Sequence, residues 1–190
     1  MTAWLWAVGR MLGLGTSAGV RASLTLALVG IVSRLDWGAD VGQHFRWLES
    51  EPAIAAFVVL AIFEATFDKV PSLDRLQDRL IMPYRLAMAA IAGGATIGFG
   101  WIGLCVGLAL GGLGGWSGQW VKHAIRPRST TTGLVTALIS LLEDLFAFFA
   151  AAATTAVGVV GYGVFSLTLW LYYRIDRRKK VKYRGLRVLR

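Results

Sequence analysis

The segment Leu141-Leu142-Glu143-Asp144-Leu145-Phe146 places two adjacent carboxylates inside an apolar run, residues 133–153, that is otherwise free of charge. A run this long and this apolar is typical of a membrane-spanning helix. A carboxylate near the middle of such a helix costs roughly 3 kcal/mol or more. The two acids therefore need a partner, a polar cavity or a functional role.

The overall composition indicates the same class of protein. Of the 190 residues, 56% are hydrophobic and only 16% are charged, and the mean hydropathy is +0.59, whereas soluble domains carry about a quarter charged residues. The apolar residues are gathered into long runs, so we predict an all-α, polytopic membrane helix bundle that forms one domain over residues 1–173. The single cysteine, Cys105, lies in such a run and excludes an intrachain disulfide framework.

The net charge of +9 is concentrated at the end of the chain. Residues 174–190 carry nine Lys or Arg and one acid. A basic segment directly after an apolar helix is typical of a cytoplasmic tail that faces anionic lipid. We therefore predict a basic cytoplasmic tail over residues 174–190, with the bilayer and its anionic lipids as partners and no nucleic acid.

Apolar runs separated by polar loops predict about six transmembrane helices. Residues 2–12 are too short to span, and Trp4 and Trp6 suit the headgroup level, so we predict a short interfacial or re-entrant helix there, ended by the glycine-rich stretch 13–19. No removable signal peptide is expected at this start. Residues 72–82 are predicted to form a short amphipathic surface helix. The six spans are predicted at about residues 18–35, 53–69, 83–99, 101–121, 134–149 and 156–173.

The loop charges predict the orientation of these spans. The tail, the 122–132 loop and the 69–85 segment fall on one side and carry nine, three and four Lys or Arg, whereas the 36–52 loop on the other side carries four acids and one Arg. Because basic loops stay in the cytoplasm, we predict that both termini are cytoplasmic.

Glycine recurs every four residues in the fourth predicted span, at Gly103, Gly107, Gly111 and Gly115. This spacing places the glycines along one helical stripe, where another backbone can approach closely. The stripe predicts a glycine zipper, either within the chain or between copies in a homo-oligomer.

Three groups of residues carry a family resemblance. They are Ala18-Gly19-Val20-Arg21-Ala22, the acidic motif from Glu64 through Asp68-Lys69-Val70-Pro71 to Asp74, and Thr132-Gly133 leading to Ser140 and Glu143-Asp144. Together they resemble a family of small bacterial integral membrane proteins known as domain of unknown function 4126. The resemblance implies a multi-pass protein of the bacterial inner membrane and implies no established activity.

The charged residues in the predicted spans are the candidate ion-binding groups. Glu64 and Asp68 are four residues apart and so share one helical face, and Arg21 is close to the same end of its own span. These groups form either a transport site or a buried ion pair that fixes helix packing. Glu143 and Asp144 form either a proton or cation relay or a protonated carboxylate held by Ser140, Thr136 or a backbone carbonyl.

A second candidate site precedes the fifth predicted span. Arg126, Arg128, Thr130 and Thr131 combine guanidinium groups and hydroxyls with the free amides of a helix start, which suits an anion such as a lipid phosphate. The alternative is a helix cap with ordinary cytoplasmic positive charge. No catalytic motif, metal-ligand spacing or cofactor fingerprint is found, so neither an enzyme nor a cofactor is predicted.

These observations lead to two hypotheses for function. The first is a transporter or channel-like protein for a small ion or a phosphate-bearing lipid headgroup, with buried carboxylates available for proton coupling. The alternative is a non-transporting membrane scaffold in which the same charges are structural ion pairs.

Overall fold

The computed structural model describes residues 2–38, 40–67, 71–96, 100–125 and 133–184. Within these ranges the chain is helical and contains no β-strand, which confirms the predicted all-α class. A short 3-10 helix, Gln43–Glu49, lies between the second and third of the α-helices. The α-helices are α1 (Thr2–Val20), α2 (Ala22–Arg34), α3 (Glu51–Phe67), α4 (Pro71–Ala95), α5 (Gly100–Ile125), α6 (Gly133–Ala156) and α7 (Val160–Arg184).

Helix α1 runs through the centre of the bundle and packs against α4, α5, α6 and α7. The prediction of an interfacial or re-entrant helix over residues 2–12 followed by a break is therefore wrong. An isolated glycine in a helix costs about 1 kcal/mol, but Gly15 and Gly19 here allow backbone contact with Gly111 and Gly115 of α5. The close packing that a glycine permits keeps this stretch helical.

The contacts of α1 set the direction of its neighbours. Gly15 meets Gly111 and Gly19 meets Gly115, so α1 and α5 run parallel. On α6, Thr154 lies beside Gly13 while Ser140 contacts the Arg21 side chain at the end of α1, so α6 runs antiparallel.

Helix α7 starts at the end of the bundle where α1 starts. Its first turn packs on Gly9 of α1, and further along α7 the Thr168 hydroxyl is 3.5 Å from that of Ser117 on α5. α1 and α7 therefore run in the same direction, and residues 2 and 184 lie at opposite ends of the bundle. The predicted cytoplasmic location of both termini is therefore not confirmed, because α1 crosses the whole bundle.

The glycine stripe of α5 packs against other helices of the same chain. Gly111 contacts Gly15 of α1 on one side and Gly93 of α4 on the other. A Cβ added to Gly93 would lie 2.6 Å from the Gly111 Cα, which is too close for any side chain. The predicted tight packing is therefore observed between helices of one chain, and these two glycines are not available to a second copy.

Several helix boundaries differ from the prediction, and α6, for example, continues to Ala156 instead of ending at about residue 149. Helix α4 is continuous from Pro71 to Ala95 with Pro83 inside it, so residues 72–82 are the first part of this helix rather than a separate surface helix. Helix α7 continues to Arg184, so the first part of the predicted basic tail extends the last helix.

Two helices in the described ranges are long and apolar enough to cross a membrane: Gly100–Ile125, and Ala137–Ala156 within α6. Helix α2, Ala22–Arg34, is apolar but shorter. The prediction of six membrane spans is therefore not confirmed.

Candidate functional site

The site is built around a break in the helix at Arg21, the one residue between α1 and α2. Arg21 has an extended backbone, with φ −140° and ψ 90°. Its amide still donates to the Ser17 carbonyl, and its own carbonyl accepts from the Thr25 amide. The chain reverses direction at this break, and the Arg21 side chain points into the bundle. Arg21 is only 1% exposed.

The Arg21 guanidinium bridges α3 and α6. Its Nε lies 2.5 Å from Asp144 Oδ1, and its Nη2 donates to Ser140 Oγ at 2.8 Å. On the other side its Nη1 donates to the backbone carbonyl of Glu64 at 3.3 Å. Since α2 packs against both α3 and α6, Arg21 joins the two helices at the point where they meet the α1–α2 break.

A second buried ion pair, between Arg85 and Glu64, lies next to Arg21. The Arg85 Nε on α4 donates to Glu64 Oε1 at 2.9 Å, and the two side chains are 0% and 6% exposed. The second oxygen of Glu64 is buried and has no hydrogen-bond donor in the part of the chain that the structure describes. Beside this pair, the hydroxyls of Tyr84 and Ser23 are 3.0 Å apart and tie α4 to α2.

A third cation comes from the end of α5. The Lys122 Nζ is 3.8 Å from Glu143 Oε2, and the Arg21 Nη2 approaches the same oxygen at 4.0 Å. Lys122 is fully buried and Glu143 is 6% exposed. Glu143 is thus set between two cations.

We refer to Arg21, Arg85, Lys122, Glu64, Glu143 and Asp144 as the ionic cluster. Its members come from α3, α4, α5, α6 and the α1–α2 break, and each of the six has an opposite charge within 4.0 Å. Burying one such pair is costly, and leaving one partner uncompensated costs about 3–5 kcal/mol. These contacts between opposite charges offset part of the cost of burying the six groups together.

The structure brings together four of the predicted ion-binding residues: Arg21, Glu64, Glu143 and Asp144. Asp68, the fifth, lies outside the described residues. Ser140, predicted as a hydroxyl partner of the acids, instead contacts Arg21; nothing is described of the Thr136 side chain. The candidate anion site also falls outside the described ranges; its residues are Arg126, Arg128, Thr130 and Thr131.

Sequence reasoning missed Arg85 and Lys122 as members of the cluster. Both lie near predicted span ends and were counted among the cytoplasmic loop charges that set the orientation. A signal for Arg85 was present, because it lies two residues past Pro83 at the start of an apolar run. Lys122 offers no such signal, because a lysine at the end of an apolar helix usually extends to the membrane surface.

A separate cleft of about 480 Å³ opens at the other end of the bundle. Arg10 lies on its wall, and its Nη2 donates to the carbonyls of Gly38 and Thr155 at 2.8 and 3.0 Å. Asp40 and His44 contribute the other ionisable groups of the lining. Among the residues described, no group of three His, Cys, Asp or Glu side chains is arranged to hold a metal ion.

In the described residues, the fold and the site define an all-α protein in which a buried ionic cluster is enclosed by helices with many exposed apolar side chains. The chain belongs to the family described as Domain of unknown function (DUF4126), whose model matches residues 8–178. No curated protein and no solved structure matches the chain. Its function is therefore argued from its own geometry.

Proposed function

We propose that the chain is a multi-pass protein of the bacterial inner membrane. Support comes from the inverted distribution of side chains: the ionic cluster is buried, whereas large apolar side chains cover the outside of α3, α6 and α7. Contiguous apolar surface of this kind marks a membrane or protein contact. On α6 the exposed set lies between residues 134 and 149 and comprises Leu134, Val135, Leu138, Leu141, Leu142, Leu145, Phe148 and Phe149.

The end of the bundle that carries the ionic cluster faces the cytoplasm in this proposal. It is the end at which α7 continues into the basic segment 174–190, and positive charge favours the cytoplasmic side. The tail would then contact anionic lipid, which acts within about 10 Å of the surface. The N-terminal start of α1 would face the other side.

The proposed activity is transport: a transporter or channel-like protein that moves a small ion or a phosphate-bearing lipid headgroup. The observation that carries the proposal is the ionic cluster at a helix break. Ionisable residues inside a membrane protein mark ion and substrate paths, and discontinuous helices form substrate sites in transporters.

Two members of the cluster, Arg21 and Asp144, have defined tasks in this mechanism, and Ser140 supports one of them. The guanidinium of Arg21 binds the charged group, and Ser140 holds its orientation through the 2.8 Å hydrogen bond. Asp144 is 25% exposed, far more than Glu64 or Glu143, and we assign proton exchange to this carboxylate. Proton exchange at the carboxylates then couples transport to a pH gradient.

Proteoliposome flux tests the proposal. A pH gradient is imposed across vesicles that contain the protein, and uptake of Na⁺, K⁺, Cl⁻ and inorganic phosphate is measured together with proton movement. We expect gradient-driven flux in the wild type and background flux in Glu143→Gln and Asp144→Asn, with equal incorporation into vesicles. Glu51→Gln, an exposed acid at the other end of the bundle, serves as the control and keeps its flux. Unchanged flux in both cluster variants would refute the role.

The scaffold is the second candidate, because the charges of the cluster match internally. It predicts that neutralising Glu143 or Asp144 lowers the thermal midpoint of the purified protein while the wild type itself shows no flux. Thermal midpoints with and without each ion separate the two, since a specific ligand stabilises the folded state by mass action. A midpoint that no ion raises would favour the scaffold.

A further inference from the structure

We propose that the cleft at the end of the bundle opposite the ionic cluster binds a small zwitterion, whose anionic oxygens contact Arg10 and whose ammonium group contacts Asp40. Two kinds of molecule carry such groups close together: a free amino acid with an apolar side chain, and the ethanolamine phosphate headgroup of a lipid. None of the six residues of the ionic cluster is among the described residues that line the cleft. The inference therefore goes beyond the proposed transport function and does not rest on it.

The cleft has the size and the mixed lining of a small-molecule site. Its volume of about 480 Å³ lies within the range of roughly 300–1,000 Å³ that is typical of ligand pockets. Such pockets combine apolar walls with a few polar groups that orient the ligand. Among the described lining residues, Val41, Phe45 and Leu104 supply apolar surface, and the side chains with a full charge are Arg10 and Asp40.

Contacts between separate parts of the chain hold the walls of the cleft in place. The Gly42 amide donates to the carbonyl of Ala95, the last residue of α4, at 2.7 Å. The ring of His44 packs against that of Trp101 at the start of α5, with the ring centroids 5.1 Å apart. The cleft is thus formed without a ligand, which lowers the cost of ordering the site when a ligand binds.

Arg10 supplies a cation whose position is fixed and whose hydrogen-bonding capacity is only partly used. Its Nη2 donates to the carbonyls of Gly38 and Thr155 at 2.8 and 3.0 Å. In the part of the chain that the structure describes, its Nη1 has no acceptor and its Nε is buried without one. A guanidinium binds carboxylate and phosphate oxygens through charge-assisted hydrogen bonds. We therefore assign the Nη1 group of Arg10 to the anionic end of the ligand.

Asp40 favours a ligand that also carries a positive charge. Its side chain is exposed and forms no ion pair or hydrogen bond with the described residues. The neighbours of these lining residues that fall outside the described ranges, Ala39 and residues 97–99, carry no charged side chain. Because Arg10 and Asp40 line one cleft, a simple anion is repelled by Asp40 and a simple cation by Arg10. A zwitterion attracts both.

Isothermal titration calorimetry on the purified full chain in a non-ionic detergent tests the inference. The probes are L-leucine and glycerophosphoethanolamine. Each has a matched analogue without the ammonium group: 4-methylpentanoate for leucine, and glycerophosphoglycerol for glycerophosphoethanolamine. In the wild type we expect a zwitterion to bind about fivefold more tightly than its analogue, because only the zwitterion gains the contact with the exposed Asp40 carboxylate.

Two variants test the two contacts separately. Asp40→Asn is expected to lower the affinity for the zwitterion about fivefold, to that of the analogue. Arg10→Gln is expected to lower the affinity for both by about tenfold or more. Because Arg10 also holds backbone carbonyls, the thermal midpoint of this variant is measured as well, and Asp40→Asn decides the question if Arg10→Gln does not fold. Asp36→Asn, an exposed acid outside the cleft lining, is the control and keeps both affinities.

Three results would overturn the inference. They are equal affinity of the wild type for a zwitterion and its analogue, unchanged zwitterion affinity in Asp40→Asn, and no binding of either zwitterion up to about 10 mM. Binding of leucine and not of glycerophosphoethanolamine identifies a free amino acid as the ligand, and the reverse identifies a lipid headgroup. Binding of both supports recognition of the paired charges alone. The flux test of the ionic cluster is independent of each of these results.

Discussion

At the scale of single residues, Arg85 and Glu64 show how a helix bundle tolerates buried charge. Neither side chain has appreciable contact with solvent, and the Nε–Oε1 bond between them is 2.9 Å long. Such a pair contributes little net stability compared with two apolar residues, yet removal of one partner leaves the other charge buried and uncompensated. The pair therefore fixes the register of α3 against α4.

We expect Arg85→Met to lower the free energy of unfolding by about 3–5 kcal/mol, because the Glu64 carboxylate would remain buried without its cation. Arg34→Met is the matched control, since Arg34 pairs with Glu51 at an exposed site and such pairs contribute about 1 kcal/mol or less. Denaturant titration in mixed micelles measures both variants. An equal decrease in the free energy of unfolding for Arg85→Met and Arg34→Met would contradict a buried role for Arg85.

At the scale of helices, glycine allows α1 to occupy the centre of the bundle. Gly15 and Gly19 on α1 face Gly111 and Gly115 on α5, and an added Cβ at Gly15 or Gly19 would collide with the backbone of α5. Gly13 meets Gly161 and Thr154 in the same way on the other side of α1. These contacts position α1 so that Arg21, directly after its last residue, contacts α3 and α6.

We expect Gly19→Ala to destabilise the protein by about 1–3 kcal/mol, because the added methyl group must push α1 away from the Gly115 carbonyl. The control is Gly163→Ala on α7, where nothing lies within 4 Å of the added Cβ. There the better helix propensity of alanine should leave stability unchanged or raise it by up to about 1 kcal/mol. Thermal midpoints of both variants in one detergent provide the comparison, and a harmless Gly19→Ala would show that α1 and α5 are not in backbone contact.

At the scale of the whole molecule, the number of helices that cross the bundle decides where the termini lie. Helix α1 crosses it completely, from Gly9 beside the first turn of α7 to Arg21 beside α3 and α6. With α1 included, the first and last helices are parallel. If the bundle spans a membrane as proposed, its two ends face different compartments.

Cysteine accessibility tests this arrangement. In a Cys105→Ser background, we expect Ala3→Cys and Asp36→Cys to react with a membrane-impermeant maleimide from one side, because both positions lie at the same end of the bundle. Arg178→Cys, an exposed position on α7, should react only from the opposite side. Labelling of Ala3→Cys and Arg178→Cys from the same side would contradict a complete crossing by α1.

The sequence by itself determined the helical class, the apolar character of the runs and the presence of acids inside them, because these follow from residues that are neighbours along the chain. It also identified Arg21, Glu64, Glu143 and Asp144 as a group that needs partners. Only the tertiary structure decided that Arg85 and Lys122 supply the remaining cations and that α1 passes through the centre. Those outcomes depend on which helices pack together. The residues next to a glycine in the sequence are the same whether that glycine lies in a loop or in a helix contact. The same holds for a cation at the end of a helix, which can lie at the surface or in a buried ion pair.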